Sequence, residues 1–191
     1  KYKYLDNIEK DKEVFANCID TIIRQVSTMH RMVNEFSTFA QMPRAIFENI
    51  NINKIIKGNI GMTKLANKDI LIDSNTTKVQ DLNIRLDPNL LNQAFNNLIK
   101  NSINAIREKR IKNSKLRGKI FIEIDKKEGY FFLKVTDNGI GFPKDKEFLT
   151  EPYISRSNKG SGLGLAIVKK IMQDHKGSIE LNNNIDNSGA N

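Results

Sequence analysis

Between residue 7 and about residue 41, apolar side chains recur at three- and four-residue steps: Ile19, Ile22, Ile23, Val26, Met29, Met32 (or Val33), Phe36 and Phe39. That is the repeat of an amphipathic helix. Neither Gly nor Pro interrupts the segment, and Pro43 in "AQMPRA" ends it. At about 1.5 Å per residue the helix would be roughly 50 Å long, too long to fold back inside a small domain. Its apolar stripe calls for another helix, in the same chain or in a partner. Nothing else in the chain matches its length, so dimerisation, or a companion helix upstream, is expected.

After Pro43 the pattern becomes mixed α/β. "NINKIIKGNI" (51–60) reads as a short amphipathic helix, and "DILIDSN" (69–75) and "NIRL" (83–86) alternate like strands. "DPNLLNQAFNNLIKNSINAIREKR" (87–110) is a long helix, with Asp87 as N-cap, Pro88 at its first position, and Leu91, Phe95, Leu98, Ile99 and Ile106 on one side. "GKIFIEIDKK" and "YFFLKVTDNG" are strands joined through "KEG", a hairpin with Gly129 in its turn. An irregular stretch over 139–160 precedes a helix over 161–174 and a strand "GSIELNN". The tail "NIDNSGAN" reads as cut short of a further strand.

Composition narrows the classes. With 191 residues the chain can hold one good core plus an appendage. A lone cysteine, Cys18, rules out an internal disulfide and a cysteine-based zinc site, and two histidines, His30 and His175, rule out a His-rich metal cluster. No run approaches the roughly 18 apolar residues of a membrane span, and the first residues lack the apolar core of a signal peptide. The net charge of +9 raises the question of nucleic acid. However, bases and acids are interleaved, without a like-charge block or an aromatic-basic alternation, so nucleic-acid binding is not expected. An anionic ligand such as a nucleotide is compatible with that charge.

Three constellations carry chemistry. Asn97 and Asn101 in "NNLIKN" lie one helical turn apart on one face. Their carboxamide oxygens are hard ligands suited to Mg²⁺, which takes few protein groups and completes its shell with phosphate and water. Asn is abundant in this chain, and such a pair taken alone is more often an ordinary polar stretch of helix than a functional site. "VTDNGIGF" (135–142) runs a strand into Asp137, with Gly139 and Gly141 allowing a tight turn and close approach of a ligand. Asp137, expected to be buried at the strand end, could accept from an exocyclic amine, although "DNG" is also a common turn tripeptide. "SNKGSGLGLAIVKK" (157–170) places Gly160, Gly162 and Gly164 where a helix begins, so backbone N–H groups can cradle phosphate at its positive end. It is not a P-loop, since no Gly-Lys-Ser/Thr follows, and the Rossmann fingerprint fails because the glycines follow a loop rather than a strand.

In this order the three motifs resemble the nucleotide-binding boxes of the histidine-kinase-type ATPase superfamily, which includes type II topoisomerase, mismatch-repair and heat-shock chaperone ATPases. "NNLIKNSINAI" resembles the N box, "DNGIGF" the first glycine box, "FLTEPYISRSNKG" the F box and lid, and "GSGLGLAIVKKI" the second glycine box. The whole is most similar to bacterial sensor histidine kinases of the nitrogen-sensor (NtrY/NtrB) branch, and "IIRQVSTMHRMVNEFSTFAQMP" resembles the second helix of that branch's dimerisation hairpin. The resemblance implies a two-layer α/β (α+β) sandwich, a mixed sheet on about three helices, over 43–191, preceded by the hairpin helix over 1–42. It implies ATP and Mg²⁺ as cofactors. Asn97 and Asn101 would hold the metal and phosphates, Asp137 would recognise the adenine amine, and Gly139 and Gly141 would shape the adenine pocket. Lys159, Gly160, Gly162, Leu163 and Gly164 would contact phosphate, and Phe148 would anchor the lid. Ser161 replaces a commoner Thr, and Asn104 stands where many members carry a basic residue.

Sensor kinases phosphorylate a His followed by an acid and, soon after, by Pro, the acid serving as general base. His30 precedes "RMVNEF" and His175 lies in "QDHKGS", so neither fits, and the acceptor is expected upstream of Lys1. The expected activity is transfer of the ATP γ-phosphoryl to that histidine and thence to a response regulator receiver domain. The resemblance further implies a homodimer, in the cytoplasmic portion of a bacterial inner-membrane sensor. An anti-sigma-type protein serine kinase would share the pocket but lacks the long preceding helix, and a non-catalytic ATP-binding dimer scaffold is disfavoured by the intact boxes. Gyrase-like ATPases keep a water-activating Glu where Asn97 stands, so slow hydrolysis is expected.

Overall fold

The computed structural model describes residues 2–76, 82–154, 161–184 and 189–190, with side chains from Asp11 onward. Two units are distinguished, with a boundary between Met42 and Pro43. The first is helix α1, Tyr2–Ala40, which starts earlier than its apolar repeat indicated. Its stripe is open: Phe15, Ile22, Ile23, Val26, Met29 and Val33 are each more than half exposed. Thr21, Thr28 and Thr38 donate their hydroxyls to the carbonyls of Asn17, Arg24 and Asn34, four residues back. These polar groups are thereby satisfied within the helix.

The second unit holds strand β1 (Glu48–Asn51), helix α2 (Ile52–Ala66), strands β2 (Ile70–Asn75) and β3 (Asn83–Leu86), helix α3 (Pro88–Lys112), strands β4 (Gly118–Lys127) and β5 (Tyr130–Asp137), and helix α4 (Gly164–Asp174). β2 and β4 pair in parallel and β4 and β5 antiparallel, so the three-stranded sheet is mixed, as expected. β1 pairs antiparallel with β3 as a separate ribbon. β1 was not anticipated, because "NINKIIKGNI" carries a helical period that masks its first residue's role. Asn51 both ends the strand and caps α2, its Oδ1 accepting from the Lys54 N–H at 3.2 Å.

One face of the sheet, led by Ile120, Ile122 and Ile124 of β4, meets α2 (Ile52, Ile56, Ile60) and α3 (Leu91, Phe95, Ile99, Ile103, Ile106). Period 2 on the strand and period 3.6 on the helices thus converge on one core. α4 buries Leu163, Ala166, Ile167, Val168 and Ile171 and packs along α3. The β4–β5 hairpin turns at Glu128 and Gly129, both at positive φ (51° and 84°) between the paired Lys127 and Tyr130. That geometry matches the right-handed twist of the strands.

Three expectations are corrected. α4 begins at Gly164 rather than Ser161, because Gly162 takes a positive φ of 74° that an α-helix cannot contain. The stretch 139–160 is not wholly irregular, since Lys146–Thr150 forms a 3₁₀ turn. "GSIELNN" keeps its alternation but forms no ladder; its sole pairing among the described residues is a bridge from Asn183 to Ala190. Alternation selects a face, whereas a strand also needs a partner backbone in register.

Asp87 knots the entry to this unit. Its carboxylate accepts from Asn89 N–H (2.8 Å) and Leu90 N–H (3.0 Å) at the start of α3, and from Ile46 N–H (2.7 Å). Burial pushes the carboxyl up, but the N–H groups of Ile46, Leu90 and Asn89 outweigh it, and the net shift is below the ordinary value. A depressed folded value contributes stability that is present above the ordinary carboxylate range and is lost as pH falls through the folded value. Asp87→Ala is expected to lower stability at pH 7 by about 1–3 kcal/mol, a lost cap plus an orphaned Ile46 N–H. Urea midpoints at pH 7 and pH 3 check this: the gap between wild type and variant should shrink at the lower pH.

Candidate functional site

Four residues of α3 spaced by four, Asn97, Asn101, Ala105 and Lys109, form one polar-to-small row on the helix. Asn97 returns its Nδ2–H to the Gln93 carbonyl at 3.0 Å. Its Oδ1 then faces α4: a Cβ on Gly164 would lie 3.4 Å from Asn97 Oδ1 and 3.6 Å from Asn101 Oδ1. α4 starts there without a capping side chain, so its first backbone N–H groups and two amide oxygens come together at one point.

One turn further along the row, Gly139 rests on Ala105. A Cβ at Gly139 would sit 2.6 Å from the Ala105 backbone carbon and Cβ, and 2.8 Å from Ile106 N. Lys109 closes the row, its Nζ donating to the carbonyls of Asn138 (3.0 Å) and Gly139 (2.9 Å). Asn138 ties the turn to the start of β4: its Oδ1 accepts from Lys119 N–H and its Nδ2 donates to Arg117 O, each at 2.8 Å. Gly141, at φ 70°, approaches Asn183. Asn183 braces the neighbouring Phe142 through both its N–H (2.7 Å) and its carbonyl (3.0 Å).

Asp137 ends β5 and is 5% exposed. Its Oδ1 accepts from Gly139 N–H at 2.8 Å, and its backbone N–H donates to Ala190 O at 2.8 Å. Burial pushes its carboxyl above the ordinary range, against the opposing pull of the Gly139 N–H, the Ser102 hydroxyl, the Ala190 N–H and the Lys109 charge. A buried carboxylate whose partners do not fully offset its desolvation is a strong acceptor for a further donor.

The fold therefore gathers Asn97, Asn101 and Gly164 at one place and Asp137, Gly139 and Gly141 at another, both along α3. Leu163 is buried at 1% exposure, holding the start of α4 in the core. Gly162, next to it, is pressed on residues 153–154, where a Cβ would lie 2.7 Å from the Tyr153 backbone carbon. Phe148 lies in the 3₁₀ turn and is 61% exposed. Lys159 and Gly160 lie outside the described residues. Sequence reasoning missed Ser102, Lys109, Asn138 and Asn183. The four-residue row from Asn97 was a readable signal for Lys109; the asparagines carried none, because their partners are distant in sequence.

The Gly139 contact makes a sharp prediction. Gly139→Ala forces a methyl into helix backbone that has no flexible end to yield, so a loss of about 1–3 kcal/mol is expected. Urea denaturation of the variant against wild type measures it.

The family described as histidine kinase-, DNA gyrase B-, and HSP90-like ATPase matches residues 86–190. The nitrogen regulation protein NtrY of Azorhizobium caulinodans is 36% identical over 191 residues, covering 100% of this chain and 24% of that protein. The chain thus spans about a quarter of the length of this curated relative. Among solved structures, the catalytic domain of the histidine kinase ThkA is 26% identical with a TM-score of 0.59, over 72% of this chain and 89% of that one. ThkA in complex with the response regulator protein TrrA gives a TM-score of 0.69 at 23% identity, over 90% of this chain and 48% of that one, a likeness of fold. With the three boxes assembled along α3 and the match running from Leu86 to Ala190, this chain belongs to the histidine kinase-, DNA gyrase B- and HSP90-like ATPase family, on its sensor histidine kinase side.

Proposed function

We propose that Pro43 onward binds ATP with Mg²⁺ and presents the γ-phosphoryl for transfer to a histidine carried elsewhere in a longer sensor kinase. The observation that carries this reading is the abutment of the α4 N-terminus on the Asn97 and Asn101 amides. Backbone N–H groups at a helix start favour phosphate. Amide oxygens are hard donors, and Mg²⁺ binds through few protein groups plus phosphate oxygens. The donor set therefore fits Mg²⁺, with Asn97 and Asn101 as its protein ligands, and the ion would neutralise charge on the phosphates. Phosphoryl transfer needs mainly positioning and charge neutralisation, which this arrangement provides. Asp137 would accept from the adenine exocyclic amine, and Gly139 and Gly141 would shape the pocket for the ring. Gly162, Leu163 and Gly164 would contact the phosphates at the start of α4, and Phe148 would anchor the lid.

The acceptor is neither histidine of this chain. Both ring nitrogens of His175 are engaged, and His30 bonds Asn34 with no acid beside it. A response regulator receiver domain is the proposed onward partner, supported by the ThkA–TrrA complex. The exposed stripe of α1 supports homodimerisation. Among the described residues no helix is long and apolar enough to cross a membrane, and we place this part of the protein on the cytoplasmic side of a sensor.

Calorimetric titration with a non-hydrolysable ATP analogue, with and without Mg²⁺, tests the reading. Mg²⁺-dependent binding is expected. Asn101→Ala should remove the Mg²⁺ dependence, and Asp137→Asn should weaken binding by roughly ten- to a hundredfold, the loss of a charge-assisted hydrogen bond of about 1.5–3 kcal/mol. No binding by folded wild type would refute the reading and favour a scaffold.

The sign of the Asp137 linkage adds a second outcome. A carboxyl raised in the folded state binds its proton more tightly there than in the unfolded chain, so stability is lost as pH rises through the raised value. Without nucleotide, Asp137→Asn should therefore unfold at a higher urea concentration than wild type at pH 7, an advantage that vanishes in acid. With Asn97 in place of an acid that could activate water, ATP hydrolysis by the isolated chain should be slow, and a phosphate-release assay showing rapid turnover would contradict the assignment.

A further inference from the structure

His175 lies just past the last turn of α4, at the far end of that helix from Gly164. Its Nε2 accepts from the Asp87 backbone N–H at 3.0 Å, which requires that nitrogen to be unprotonated. Its Nδ1 lies 2.8 Å from the Ile171 carbonyl, which can only accept, so the proton is on Nδ1. The ring also meets the edge of Phe47, centroids 5.1 Å apart at 60°. The two bonds are thus satisfied together only by the neutral Nδ1–H tautomer.

The lengths of the two helices give this contact a consequence. α4 has 11 residues, about 16 Å at 1.5 Å per residue. From Asp87 to the Asn97–Asn101 pair along α3 is about 15–21 Å by the same rise. α4 is therefore strung along the first half of α3 between two fixed points, Gly164 at the amides and His175 at the α3 N-cap. Ridge and groove positions repeat along the helix axis, so apolar packing alone permits more than one axial setting. A directional hydrogen bond at one end sets the axial position of the other.

We propose that His175, as the neutral Nδ1–H tautomer, is a positioning residue that holds α4 at one axial setting on α3 and so fixes the phosphate-facing start of α4 against Asn97 and Asn101. It touches no part of the nucleotide. The inference rests on the reading of the Gly164 end as the phosphate site, but its tautomer can be tested without nucleotide.

Two isosteres separate the bridge from a simple helix cap. Glutamine places an acceptor oxygen where Nε2 lies and can still receive the Asp87 N–H. Asparagine places its amide where Nδ1 lies, keeping the contact with Ile171 O but falling short of Asp87. His175→Gln should keep the Mg²⁺-dependent affinity for the ATP analogue within about twofold of wild type, whereas His175→Asn should lose about fivefold or more, the equivalent of one hydrogen bond. Urea midpoints of both variants, measured in parallel, confirm that each is folded at the titration temperature. Equal affinities for the two folded variants would overturn the positioning role. ¹⁵N NMR of wild-type His175 at pH 7.5 should show a protonated Nδ1 and a bare Nε2; the opposite tautomer, or an imidazolium, would overturn the inference even if a variant failed to fold. Absence of nucleotide binding by wild type with the expected tautomer would instead refute the phosphate-site reading, and the positioning role with it.

Discussion

The contact between Gly139 and the backbone of α3 at Ala105 is the constraint on which the rest of the site depends. Side chains on both residues must be minimal for the turn after β5 to reach the helix, and once it does, the carbonyls of Asn138 and Gly139 come within reach of Lys109. That anchorage leaves Asp137 at the end of β5 with its carboxylate turned into the unit rather than outward. It also makes α3 the common reference for both halves of the site, since the amides that face α4 belong to the same row. A larger residue at either position would move the Asp137 carboxylate away from the row that carries Asn97 and Asn101.

Two buried aspartates in the same unit are shifted in opposite directions by their local geometry. Asp87 collects three backbone N–H donors, and its ionised form is favoured despite burial. Asp137 is as deeply placed, yet its donors do not outweigh desolvation, and its carboxyl is pushed up. The first carboxylate joins the chain entry at Ile46 to the start of α3. The second retains acceptor capacity at a cost in stability, which a donor from a bound ligand would offset. The two carboxyls are thus shifted in opposite directions at nearly equal burial, because their donors differ.

The second unit closes its own core, in contrast to α1. Ile52, Phe95, Ile106 and Ile122 are wholly excluded from solvent, while the stripe of α1 remains open along its length. Apolar area of this kind is worth roughly 25 cal/mol per Å² when covered. Covering the stripe would therefore contribute binding free energy, which is why the proposed assembly of the longer protein runs through it.

Much of this was legible in order along the chain. The helical period to Pro43, the Asp87–Pro88 helix start, the Glu128–Gly129 hairpin and the three boxes are local patterns, set by φ preferences, capping and spacing of a few residues, and the sequence by itself determined them. Asn97, Asn101, Asp137 and the glycines were likewise visible as types at spacings. Tertiary structure alone decided which of them meet. Ser102, Asn138 and Asn183 carry no local signature, because their partners lie on other elements, whereas Lys109 was marked only by its place in the row from Asn97. The strand read into "GSIELNN" failed for the same reason, since alternation is local but a ladder needs a neighbour. His175, unremarkable as a polar residue at a helix end, acquired its bridge because α4 runs back along α3 for a length that brings it to Asp87. Local sequence sets what each segment can form; long-range packing decides which donors find which acceptors, because that pairing depends on distances the chain acquires only when folded.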